Sequence, residues 1–217
     1  RQVRYLESHP DCSMTVHAAA VQNDRGELVN RNLMRPYRGD RDLSPAELVD
    51  KAGSFPFGAM LLRREVVEKL PDWYFRCPVG DMPLELLSAL KGYCHYADRF
   101  DSVYRFHGSG SWTEEMKSGD FKKKQDRYAR AMRELYRAFD RESGGRYHRE
   151  AVSAARRVYF LTRVNLRDYG EIFSPRNRRY YRELPLRDRF FIRAERELPF
   201  LFAGLRRVRD RIFGQER

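Results

Sequence analysis

The stretch Val79-Gly80-Asp81-Met82-Pro83-Leu84-Glu85-Leu86-Leu87 sets a carboxylate directly after a glycine turn, at the mouth of an apolar helix. A carboxylate held there can take a proton from an attacking hydroxyl, the work of a general base. It can equally cap the helix, accepting hydrogen bonds from the free N–H groups of the first turn, with Pro83 tolerated where no N–H partner exists. Most Asp residues at helix starts are caps and nothing more. A second stretch, Val103-Tyr104-Arg105-Phe106-His107-Gly108-Ser109-Gly110-Ser111-Trp112, lies about 25 residues downstream and shifts the balance toward chemistry.

The elements that must position these two stretches follow from pattern. Residues 1–7 read as the last turns of a helix, and the Glu7-Ser8-His9-Pro10-Asp11 cluster breaks it. Residues 12–21 read as a strand, with Asn23-Asp24-Arg25-Gly26 as turn chemistry that lets residues 27–29 return as a hairpin. His17 lies on that strand, where a lone His more commonly forms core or pocket wall than a ligand. Residues 31–43 are polar and read as a loop. Ser44-Pro45-Ala46-Glu47 combines an N-cap, Pro at the first helical position and Glu three residues after the cap, a strong helix start ending near Gly53. Residues 55–62 read as a buried strand whose Gly58-Ala59 pair allows close backbone approach. Residues 64–70 give one or two helical turns stopped by Pro71. From Asp81, Leu84, Leu87 and Leu90 repeat at helical spacing until Gly92, and residues 93–97 and 102–106 read as two strands. The order predicts an α/β fold.

From Thr113 the character changes. Thr113-Glu114-Glu115 reads as a cap, and Met116, Tyr128, Met132, Leu135, Tyr136 and Phe139 form a stripe on one helix. Ser143-Gly144-Gly145 breaks it, and a second helix runs through Ala151, Ala154 and Val158 to about Asp168. Two regions are therefore expected, residues 1–112 and a mainly α-helical region over 113–217. Charge divides at the same place: residues 1–112 carry 15 Lys and Arg against 15 Asp and Glu, and residues 113–217 carry 28 against 16. The second half should prefer an anionic partner. Its tail, with Arg189-Phe190-Phe191-Ile192-Arg193 and Leu205-Arg206-Arg207-Val208-Arg209, can lie at an anionic membrane surface through residues 190–213, or pack its apolar face on the protein.

No run of about 18 apolar residues and no basic-then-apolar leader is present, so neither a membrane span nor a signal peptide is expected. Cys12, Cys77 and Cys94 are odd in number and lack metal-ligand spacing, which fits a reducing compartment and unpaired thiols. Specific nucleic-acid binding is not expected: basic residues alternate with acids, and no helix-turn-helix or finger pattern occurs.

Tyr5-Leu6-Glu7-Ser8-His9-Pro10-Asp11-Cys12-Ser13-Met14, Leu61-Leu62-Arg63-Arg64-Glu65-Val66-Val67, Val79-Gly80-Asp81 and Val103-Tyr104-Arg105-Phe106-His107 occur in an order that resembles the second half of family 2 glycosyltransferases. The resemblance covers roughly residues 1–115. It implies a partial GT-A-like sheet with flanking helices over residues 1–112, the acceptor half of the domain, followed by the basic helical region. By the same resemblance Asp81 is the general base that deprotonates an acceptor hydroxyl, in an inverting transfer from a nucleotide-sugar donor to a glycan or lipid-linked acceptor. His107 approaches a Mn²⁺ or Mg²⁺ ion and the diphosphate, while Arg105, Ser109, Ser111 and Trp112 lie on a loop closing over diphosphate or acceptor. Cell-surface polysaccharide or glycoconjugate synthesis on the cytoplasmic face, peripheral to the inner side of the cell membrane, follows as the expected setting. The family's first strand, its uridine-binding Asp and its Asp-x-Asp metal motif should all precede Arg1, so the activity is expected of a longer protein. Asp40-Arg41-Asp42 is the sole Asp-x-Asp of this chain and a poor substitute by its place. Two other classes remain open at this stage, a basic helical scaffold without catalysis and a nucleic-acid-binding module.

Overall fold

β1 (Cys12–Gln22) is the strand around which the fold is built. Its first eight residues are all buried, which a central strand covered on both faces requires. The computed structural model describes residues 1–23, 25–28, 34–105, 116 and 119–200. They fall into two compact units that divide between Tyr159 and Phe160.

In the first unit, α1 (Gln2–Ser8) leads into β1, followed by β2 (Arg41–Leu43), α2 (Pro45–Lys51), β3 (Leu61–Leu62), α3 (Arg64–Val67), α4 (Asp72–Phe75), α5 (Asp81–Ala89) and β4 (Tyr93–Arg105). Two long helices complete it, α6 (Phe121–Glu142) and the greater part of α7 (His148–Asn165). The sheet is mixed, in the order β2-β4-β1-β3. β1 and β4 run parallel from Cys12 opposite Tyr93 to Gln22 opposite Arg105, while β3 and β2 pair antiparallel on the outside. The α/β expectation is met, and the capping box at Ser44 forms as its residues predict, with Glu47 N donating to Ser44 Oγ and Ser44 N to Glu47 Oε2.

Several local expectations are corrected. The two strands expected over residues 93–106 are one strand, β4, because Asp98 to Asp101 bulge out of register with His17, Ala18 and Ala19 without ending the pairing. Asp98 holds that bulge: it receives Arg35 through two nitrogens, Nε at 2.6 Å, and the Gly39 amide at 2.7 Å. The polar run over residues 31–43 ends in β2, an edge strand whose Arg41 and Asp42 face solvent and whose Leu43 faces inward. In residues 55–62 only Leu61 and Leu62 pair as a strand, since Phe57–Ala59 forms a 3₁₀ turn with Phe57 exposed. Gly58 has open space around it. The close approach lies instead at Gly92, where a Cβ would stand 2.1 Å from the Asp11 carbonyl oxygen.

The core of this unit joins Met14, Val16 and Ala18 of β1, Cys94 and Tyr96 of β4, and Leu48, Met82 and Leu86 of the intervening helices. Met132, Leu135, Tyr136 and Phe139 of α6 and Ala151 and Ala154 of α7 belong to the same core. The change of composition near residue 112 is thus not where the compact units divide, because the apolar stripe of α6 is buried with the sheet. The second unit has its own small core of Phe160, Ile172 and Tyr180. Beyond the end of α7 it contains α8 (Tyr169–Ile172), α9 (Arg178–Glu183) and α10 (Leu186–Glu197).

Candidate active site

α5 begins where Gly80, a residue without a side chain to cap with, occupies the N-cap. Asp81 follows at the first helical position, half-buried, and its Oδ1 accepts the adjacent Met82 amide at 2.8 Å. Asp120 and Asp168 show the alternative in this chain: each stands at an N-cap and receives the amide three residues on, from Lys123 and Glu171. Asp81 makes no such bond. Among the described residues its Oδ2 takes no hydrogen bond, and no cation pairs with it.

The helix is oriented by its exit. Only Lys91 and Gly92 separate Leu90 from β4, and Ser13 Oγ on β1 donates to the Ser88 carbonyl at 2.9 Å, so the end of α5 lies at the start of the parallel strands. Asp81 stands at the other end of the helix, about 13 Å away. The surroundings are weakly polar. The Tyr128 hydroxyl of α6 meets the Met82 sulfur at 3.7 Å. Burial pushes the Cys77 thiol up, and the Asp81 charge adds to it. The Tyr128 phenol is pushed up by burial first and by Asp81 second.

Glu85, one turn further on, is fully buried. Its Oε2 accepts the Gly53 amide at 3.0 Å, while its Oε1 has no hydrogen-bond partner. Burial, and then the Asp81 charge, hold its carboxyl well above the usual carboxylate range. The buried Tyr136 hydroxyl is likewise without a partner, and burial and Glu85 both push its ionisation up. The two acids of α5 thus differ: Glu85 is enclosed, with its ionisation disfavoured by burial, whereas Asp81 is half-buried, with an Oδ2 that takes no hydrogen bond among the described residues. Sequence reasoning passed over Glu85, whose place in an apolar helical run was the available signal. Chemically, Asp81 can accept a proton from a ligand hydroxyl.

Arg105 closes β4 and is exposed. It lies at the far end of β4 from Tyr93, the residue at which α5 leads into the sheet. His107, Ser109, Ser111 and Trp112 lie outside the described residues.

Asp40 accepts the Asp98 amide at 2.8 Å, and Asp42 Oδ1 accepts from the Tyr5 hydroxyl at 3.1 Å and meets His95 Nδ1 at 2.7 Å. In each carboxylate Oδ1 is thus engaged by the fold. Among the described residues no three His, Cys, Asp or Glu side chains converge as metal ligands.

Asp42 belongs to a cluster that sequence spacing did not reveal. Tyr5 is stacked between His9 and His95, with ring centroids 3.9 and 3.7 Å away, and its hydroxyl also lies 3.4 Å from that of Tyr93. The members come from α1, β2 and β4, so no local pattern could signal them. They join the start of β4 to the first helix, at the opposite end of α5 from Asp81. His17 is buried, with Nδ1 2.8 Å from the Ala18 carbonyl, the core role expected of it.

No protein-family model matches the chain, and neither does any curated protein or solved structure.

Proposed function

We propose that residues 1–112, closed over by α6, are the acceptor half of an inverting glycosyltransferase that uses a nucleotide-sugar donor, with Asp81 as its general base. The observation that carries this reading is the Asp81 carboxylate itself: half-buried, fixed by one amide and, among the described residues, with no cation beside it and no hydrogen bond to Oδ2.

In this reaction an acceptor hydroxyl donates its hydrogen bond to Asp81 Oδ2. As the hydroxyl oxygen attacks the anomeric carbon, its proton passes to the carboxylate, the bond from that carbon to the diphosphate oxygen breaks, and the sugar is transferred with inversion. The nucleoside diphosphate leaves with the bonding pair. A divalent ion, where one is bound, stabilises that leaving charge. The described residues do not build its site, so the derivation rests on Asp81 alone. Burial disfavours a second negative charge at Glu85, one turn further on.

Asp81→Asn keeps the shape and the Met82 hydrogen bond and removes the basicity. In the full-length protein it is expected to lower sugar transfer by about 10²–10⁴-fold, with the circular dichroism spectrum and melting temperature unchanged. Turnover is followed by nucleoside diphosphate release from a panel of nucleotide sugars. Undiminished turnover would show Asp81 to be only part of the helix start and return the chain to the scaffold reading.

A further inference from the structure

The second unit presents an apolar helix face that its own core does not use. α10 is held on one side: Ile192 packs on the Phe160, Ile172 and Tyr180 core. The Tyr181 hydroxyl donates to the Arg189 carbonyl at 3.0 Å, Arg167 pairs with Glu195 at 3.0 Å, and the Arg196 guanidinium lies 4.7 Å over the Phe173 ring. Among the described residues nothing packs on the opposite side. Leu186 is 77% exposed and Phe190, four residues on and therefore on the same face, is 68% exposed. Phe191 flanks them at 50%, and the exposed Leu198 and Phe200 follow the helix. Arg193, three residues after Phe190, continues the face, and Arg187 borders it.

We infer that this face of α10 is a docking surface for an anionic phospholipid bilayer. Leu186 and Phe190 would enter the acyl boundary while Arg187 and Arg193 meet lipid phosphates, the arrangement of a helix lying in the membrane interface. Charge selects this occupant. Residues 160–217 carry 15 Arg and no Lys against eight Asp and Glu, so a second copy of the chain would bring like charge against like. Three acids lie on α10 itself. Glu195 is paired with Arg167, Asp188 lies 3.6 Å from Arg187, and Glu197 ends the helix. Arginine suits phosphate because its planar fork donates two parallel hydrogen bonds. Exposed Leu and Phe in a row along the axis gain by leaving water for hydrocarbon. The inference is independent of the transferase reading.

The test is co-sedimentation of the whole chain with large vesicles of phosphatidylcholine alone and of phosphatidylcholine mixed with phosphatidylglycerol. Binding is expected only to the anionic vesicles, weakening as salt rises. Leu186→Ser with Phe190→Ser, both at exposed positions and so without consequence for folding, is expected to lower partition about tenfold or more. Arg187→Gln with Arg193→Gln is expected to do so by about tenfold. Equal partition to both vesicles, no partition at all, or undiminished partition of either double variant overturns the inference. So does salt-sensitive binding to single-stranded RNA without vesicle binding, or self-association in ultracentrifugation that Leu186→Ser with Phe190→Ser abolishes.

Discussion

Glu85 and Asp81 stand one turn apart on the same helix, and burial alone separates their chemistry. Asp81 keeps an oxygen open at the helix mouth, whereas Glu85 is enclosed with a single amide bond and a second oxygen left without a partner. Because burial raises the Glu85 carboxyl in the folded chain above its ordinary value of 4.5, the folded state holds a proton that the unfolded state releases. Glu85 therefore costs no ionisation below about pH 4.5, and stability falls as pH rises from there toward the raised folded value. Glu85→Gln removes the titration and keeps the shape. Urea unfolding should show the variant and the parent about equal at acid pH and the variant gaining with pH, by up to about 1.4 kcal/mol per pH unit. A constant difference across the range would mean that Glu85 is ionised in the fold.

At the scale of elements, two features decide whether α5 delivers Asp81 where it stands. One is the capping box of α2, which fixes the helix whose end supplies the Gly53 amide to Glu85. Ser44→Ala should lower stability by about 0.5–2 kcal/mol in thermal or urea unfolding. The other is the passage from α5 into β4 at Gly92, where the Asp11 carbonyl leaves no room for a side chain. The Tyr93 amide next to it donates to that same carbonyl, so the backbone cannot give way freely. Gly92→Ala is expected to destabilise by about 1–3 kcal/mol, since overpacking a closed contact forces the backbone to shift. Gly58→Ala, with open space around it, should be close to neutral in the same measurement. The capping box was legible because its residue types and spacing are local. The Gly92 contact was not, since it depends on a residue 81 positions earlier in the chain.

For the whole molecule, the decisive fact is that α6 and the start of α7 share the core of the sheet. Arg157 of α7 donates to both carboxylate oxygens and the backbone carbonyl of Asp50 at the end of α2, at 2.5–3.2 Å. Burial raises the Asp50 carboxyl, and Arg157 and Lys51 more than offset it, so the net shift is downward. A chain ending at residue 112 would expose the side of this core that Met132, Leu135, Tyr136 and Phe139 complete. Such a truncation should lose its cooperative thermal transition, whereas one ending at residue 165 should keep it. A sharp transition in the shorter chain would show the sheet to fold without α6. Among the described residues no helix is long and apolar enough to cross a membrane.

The α/β class, the Ser44 helix start, the helix opening at Asp81, the breaks at Gly144 and Gly145 and the concentration of positive charge after residue 112 were all determined by the sequence alone. Each rests on residue types within a few positions of one another, where propensity, capping and charge act without help from the rest of the fold. Tertiary structure alone decided that residues 93–105 are one strand, that Asp42 joins Tyr5 and His95, that Glu85 is enclosed and that Asp81 is left open. Those facts depend on which distant segments exclude water from a given side chain, and no local spacing records that. The helix beginning at Asp81 is therefore written in its own residues, and the difference between its two acids is made by the segments packed around it.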